Sequence, residues 1–259
     1  MAGGKRISQR VIDERPIDGG RAITLTFRAD EGPGAGSPIP GVLRLPRSSE
    51  PVPAALLLHG YASRKEDMAE SVGEALVPLG IATLSIDLPL HGERADPFEL
   101  RSVRNPFELA ERWRTAIAEA QLALRFLAAR REIDRDRLGV IGYSLGSYLS
   151  LAVAERDRAP RAFVLAAGGD LPDFPLAQLI RPIADPLRGV RALAGRPLLM
   201  VHGRRDRTIL PAQAERLFAV AAEPKEIRWW DAGHYLPHAA VHDAAEWLAR
   251  TLRSASAAA

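Results

Sequence analysis

From residue 54 onward the chain alternates short apolar runs with amphipathic segments, and this alternation constrains its fold more than any other feature. The runs are Ala54 to Leu58, Ile81 to Ile86, Leu138 to Ile141, Ala162 to Ala167 and Pro197 to Val201, with a shorter one at Ile227 to Trp230. Their residues are apolar at consecutive positions rather than at every second one, which suits strands buried on both faces. Helices are predicted between them: Asp67 to Leu79, Pro106 to Arg130, the segment after Ser144, Pro211 to Ala222 and Ala239 to Leu252. In the longest, Phe107, Ala110, Trp113, Ile117, Leu124 and Leu127 fall at helical spacing. Strand and helix in alternation imply an α/β class with a mainly parallel sheet wound on both sides. The first 45 residues read instead as β structure. Val11-Ile12, Ala22 to Phe27 and Val42 to Leu45 are β-prone, with a turn at Asp18-Gly19-Gly20 and a hairpin loop over Gly32 to Pro38.

The 259 residues suit one domain, and 47% hydrophobic with 26% charged residues fits a globular chain. Lys plus Arg (35) nearly balance Asp plus Glu (32), and the charges are interspersed. With no basic stripe, nucleic acid is not expected as a partner. The absence of cysteine excludes disulfides, thiolate metal sites and a cysteine nucleophile. Met1 to Pro16 carries charges and no apolar core, so no signal peptide is read there. No apolar run reaches the roughly 18 residues needed to span a bilayer. A soluble, cytoplasmic protein without membrane association is the expectation; oligomeric state leaves no mark in the sequence.

The strongest chemical signal is Gly142-Tyr143-Ser144-Leu145-Gly146, between a predicted strand and a predicted helix. A sharp strand-to-helix turn crowds the positions two before and two after the serine, where glycine alone fits easily, and leaves the hydroxyl exposed and strained. A serine hydroxyl is a weak nucleophile, so an imidazole must take its proton and a carboxylate must orient that imidazole. Asp206 follows one late strand and His234 follows the last, giving the chain order Ser, acid, His at one edge of the sheet. Asp231, three residues before His234, is a second candidate acid. His238 and His242 share a helix face, but the H-E-x-x-H form and a third ligand are missing, so they read as ordinary helix residues.

Acyl transfer passes through an oxyanion that needs placed N–H donors. The backbone N–H of Leu145 is one candidate, and that of Tyr61 in His59-Gly60-Tyr61 is the other. His59 itself is expected to hold the loop through hydrogen bonds rather than to move protons.

Taken in order over Ala54 to Leu252, these residues resemble the α/β-hydrolase superfamily. With Asp87-Leu88-Pro89-Leu90-His91-Gly92-Glu93-Arg94 added, the chain is similar to bacterial carboxylesterases of the dienelactone-hydrolase-like branch. Dienelactone hydrolases proper use a cysteine where this chain has Ser144, so that lactone is not carried over. The resemblance implies an α/β-hydrolase fold: a mostly parallel eight-stranded sheet, helices on both faces and a small cap insertion at about residues 169–195. It also implies hydrolysis of small-molecule esters with no metal or organic cofactor, and His91 and Arg94 as loop-stabilising rather than catalytic residues. The insertion carries Leu171, Phe174, Leu176, Leu179, Ile180, Ile183 and Leu187. A cap of that size predicts a small, open pocket for short acyl chains. Thioesterase, peptidase or acyltransferase chemistry would use the same triad. A non-catalytic binding protein on this scaffold is the contrasting class, and such proteins usually lose a triad member.

Overall fold

The computed structural model describes residues 6–30, 37–94, 106–173 and 180–254. Among them are nine strands: β1 (Ile7–Ile17), β2 (Gly20–Ala29), β3 (Ile39–Pro46), β4 (Val52–Leu58), β5 (Ala82–Ile86), β6 (Ile133–Tyr143), β7 (Pro160–Ala166), β8 (Leu198–Gly203) and β9 (Lys225–Trp230). They form one sheet in the order β1-β2-β3-β5-β4-β6-β7-β8-β9. The β1–β2, β2–β3 and β3–β5 pairs are antiparallel, and every pair from β5–β4 to β8–β9 is parallel.

The parallel strands feed two cores because successive side chains point to opposite faces. On β4, Ala54, Leu56 and Leu58 join one cluster while Ala55 and Leu57 join the other. On β8, Leu198 and Met200 face the first cluster and Leu199 and Val201 the second. Helices cover both faces. The first cluster is closed by α2 (Pro106–Ala128), α3 (Leu145–Ala154), α4 (Pro186–Arg191) and α5 (Pro211–Val220), which contribute Leu124, Leu149, Val190 and Leu217. The second is closed by α6 (His238–Ser254) and by a continuous helical segment, α1 (residues 65–79), through Leu248, Leu252, Met68 and Leu76. Each such side chain withdrawn from water contributes about 1.5–3 kcal/mol, so the alternation seen in the sequence is also the main source of cohesion. The N-terminal strands behave differently: Ile23, Leu25, Phe27 and Ala29 on β2 point to the first cluster alone, where Phe27 stacks on Phe126 at 4.6 Å.

The expected count of eight strands is corrected to nine. The additional strand is the edge strand β1, almost wholly exposed and paired only with β2. Its residues Arg10, Asp13, Glu14 and Arg15 give it no apolar run to read. The β2–β3 connection at 31–36 lies outside the described residues. So do Phe174, Leu176 and Leu179 of the expected cap. C-terminal to them, α4 packs into the body, with Val190 and Leu193 buried. Among the described residues no helix is long and apolar enough to cross a membrane.

Candidate active site

The parallel strands β4 to β9 end at one edge, and the loops leaving that edge carry the residues singled out above. β6 turns into α3 at Ser144, whose φ of 50° and ψ of −110° lie in a region a serine seldom adopts. Such a conformation costs about 1–3 kcal/mol and persists only where the surroundings enforce it. Here steric exclusion enforces it: a Cβ on Gly142 would lie 2.2 Å from the carbonyl oxygen of Gly146, and one on Gly146 would lie 2.0 Å from that of Leu58. The Ser144 N–H donates to Ala166 O at 2.9 Å, which ties the turn to β7.

His234 lies between the other two members of the expected triad. Its Nδ1 is 2.8 Å from Asp206 Oδ2 and its Nε2 is 3.1 Å from Ser144 Oγ. The carboxylate can only accept, so Nδ1 carries the proton and Nε2 is left as an acceptor toward the hydroxyl. Asp206 is buried, and its Oδ1 accepts from the N–H groups of Thr208 (2.8 Å) and Ile209 (3.0 Å), which fixes the carboxylate orientation. The alternative acid, Asp231, is exposed and pairs with Arg205 at 3.0 Å. His238 and His242 face each other at 4.4 Å on α6; among the described residues no group of three or more His, Asp or Glu side chains is placed to hold a metal ion.

The loop after β4 lies against the serine, since a Cβ on Gly60 would be 3.4 Å from Ser144 Cβ. Leu145 is the first residue of α3, where a helix leaves its N–H without an intrahelical partner. His59 is buried and spans two loops: Nδ1 donates to Gly60 O at 2.7 Å, and Nε2 accepts from the Leu88 N–H at 3.1 Å. Burial lowers its pKa to about 4, which keeps the ring neutral and both bonds in place. This is the loop-holding role expected of it. His91 donates from Nδ1 to Pro89 O at 2.9 Å, and Arg94 forms a two-point ion pair with Glu119 and reaches Asp87 O.

Several neighbours of the site carry no signal in the sequence. Lys65, 1% exposed, sets its ammonium among Asp87 (3.0 Å), Glu66 (2.8 Å) and Glu93 (2.6 Å), clamping the loop after β4 to the loop after β5. Burial works against its charge, but the hydrogen bonds to those carboxylates outweigh it and hold the pKa above the ordinary lysine value. His202, on β8, donates from Nε2 to Ile209 O at 2.9 Å and braces the acid loop. Tyr143, the residue before Ser144, donates its hydroxyl to His234 O at 2.5 Å and accepts the Leu236 N–H at 3.2 Å. Burial pushes its pKa up to about 12, so it remains a donor.

Comparison with known proteins agrees with this architecture. The model of a family described as the alpha/beta hydrolase family matches residues 55–197. Esterase EstD of Thermotoga maritima is 29% identical over 137 residues, 49% of this chain and 30% of that protein. Uncharacterized protein Rv2307c of Mycobacterium tuberculosis is 29% identical over 181 residues, 67% of this chain and 59% of that one. The chain thus spans less than two thirds of either relative. The crystal structure of acetyl xylan esterase 1 from a Thermoanaerobacterium species superposes with a TM-score of 0.75 at 18% identity, covering 96% of this chain and 88% of that one. At that identity the likeness is one of fold.

Proposed function

The chain belongs to the alpha/beta hydrolase family, and from that premise we propose that it is a serine carboxylesterase acting on small-molecule esters of short acyl chains. The observation that carries the reading is the unbroken line from Asp206 Oδ2 through His234 to Ser144 Oγ, with contacts of 2.8 and 3.1 Å. In this reading His234 Nε2 takes the Ser144 proton as Oγ attacks the ester carbonyl, and Asp206 stabilises the imidazolium. The oxyanion is met by the N–H groups of Leu145 and Tyr61, each such donor being worth about 3 kcal/mol in the transition state. The proton then passes to the departing alkoxide, and water repeats the sequence on the acyl-enzyme. The esterase name of the Thermotoga relative is consistent with this chemistry. The short-chain preference rests on the small size of the insertion, of which α4 and Leu193 pack into the body.

Fluorophosphonate labelling tests the reading directly. A single adduct on Ser144, lost in Ser144→Ala, is expected, together with p-nitrophenyl ester turnover that peaks at the short end of a two- to sixteen-carbon series. Labelling elsewhere would remove the nucleophile assignment, and a long-chain optimum would remove the acyl preference.

A further inference from the structure

Tyr143 brackets one residue. Its hydroxyl binds the carbonyl of His234 on one side and the N–H of Leu236 on the other, so the backbone is pinned before and after Tyr235. Tyr235 itself is 87% exposed, the most exposed large hydrophobic residue among those described. Its ring stands edge-on to the His234 imidazole, 6.0 Å between centroids. An aromatic side chain left in water on a fixed loop, beside the general base, is a placed surface rather than the tip of a loose excursion.

The proposed chemistry says what should pass over it. In the acylation step the Ser144 Oγ–acyl bond forms and the bond from the acyl carbon to the alcohol oxygen breaks. The proton taken from Ser144 leaves His234 Nε2 for that same oxygen, which departs as the free alcohol. The alcohol oxygen must therefore lie on the His234 side of Ser144, while the carbonyl oxygen points to the Leu145 N–H. The rest of the alcohol then lies on the His234 side of the site, where the Tyr235 ring adjoins the imidazole. We propose that Tyr235 is a specificity-determining residue for the alcohol half of the ester, its ring receiving alcohols that present a flat ring with an apolar face. This inference rests on the serine esterase reading and adds to it the substrate's second half.

Benzyl and propyl acetate test it, because they share an acyl group and their alcohols leave with similar difficulty. An aromatic contact of this kind corresponds to about a two- to tenfold preference. Tyr235→Ala should lower the benzyl-to-propyl ratio of kcat/KM by that factor, and Tyr235→Phe should restore it. Deacylation, common to both esters, should not separate them. An acetylated pyranoside run alongside tells whether a sugar ring is received as well as an aryl ring. A ratio unmoved in Tyr235→Ala, with propyl acetate still turned over, overturns the inference and leaves the esterase reading standing. No turnover of any acetate by the unmodified protein overturns both.

Discussion

Ser144 stands on a turn fixed by steric exclusion, whereas His234 stands on a loop held mainly by polar contacts. At the turn, the carbonyl oxygens of Gly146 and Leu58 occupy the space that side chains at 142 and 146 would need. No single hydrogen bond decides where the hydroxyl goes. The His234 loop meets one such wall, since a Cβ on Gly203 would lie 2.1 Å from Gly233 O and 2.6 Å from Ala232 O, and otherwise it is held by polar contacts. Its first part is tied to the acid loop by Arg204 N–H to Trp230 O (2.8 Å) and Arg205 N–H to Ala232 O (2.9 Å). Its second part hangs from the Tyr143 hydroxyl, and the imidazole from Asp206. Ser144 is thus placed by shape and His234 mainly by a short series of bonds, of which those from Tyr143 and Asp206 can each be removed by one side-chain substitution. A site built this way should lose rate on the histidine side without losing the fold.

The largest effect follows from cutting the bond that sets the tautomer. Asp206→Asn leaves the shape of the acid loop and replaces an acceptor at Oδ2 with a group that can donate, so His234 is no longer obliged to keep its proton on Nδ1. On the proposed mechanism kcat for p-nitrophenyl acetate should fall by about 10⁴, with far-ultraviolet circular dichroism unchanged. A loss of less than tenfold would mean that another carboxylate orients the ring, with Asp231 the first to substitute.

An effect of up to about tenfold is expected where the two regions are stitched together. Tyr143→Phe keeps the ring against His234, at 5.9 Å between centroids, and deletes only the hydroxyl. The His234 carbonyl and Leu236 N–H lose a partner worth about 0.5–1.5 kcal/mol, which corresponds to roughly a two- to tenfold fall if it appears wholly in the transition state. The fall should appear in kcat and in the rate of fluorophosphonate labelling, with KM little changed. A variant that melts earlier yet turns over at the normal rate would show that the hydroxyl serves stability alone.

The same contrast explains what could be read from the sequence. Sterically dictated features leave a local mark. The Gly-x-Ser-x-Gly spacing reports crowding within five residues, and the continuous apolar runs report burial on both faces of β4, β5, β7 and β8. Features set by contacts between distant stretches leave none. Nothing near Tyr143 reveals that it meets residues 234 and 236, and Lys65 reads as an ordinary surface lysine until β4 and β5 bring it onto Asp87. Of β1 only Val11-Ile12 is legible as β-prone, and its full length is not, because an edge strand exposed on both faces has no burial to imprint on its composition. Asp206 and His234 were legible because chain order and strand ends, both local features, place them at the right edge.

The smallest effect tests the loop after β4, which is held, like the His234 loop, by polar contacts. His59 links Gly60 O and the Leu88 N–H only while it is neutral. Burial lowers its folded pKa to about 4, below the ordinary value of about 6.5 that the unfolded chain recovers. Between those two values the unfolded chain binds the extra proton, so stability rises with pH across that window and is lost as the solution is acidified from pH 6.5 toward 4. The linkage is on the order of 2–3 kcal/mol at most. His59→Gln retains an acceptor for Leu88 and removes the titration. Urea unfolding at pH 7 and pH 5 should therefore show a smaller difference in the variant than in the parent. An equal difference would assign the acid sensitivity to the other buried imidazoles, His91 and His202, whose pKa values burial also lowers.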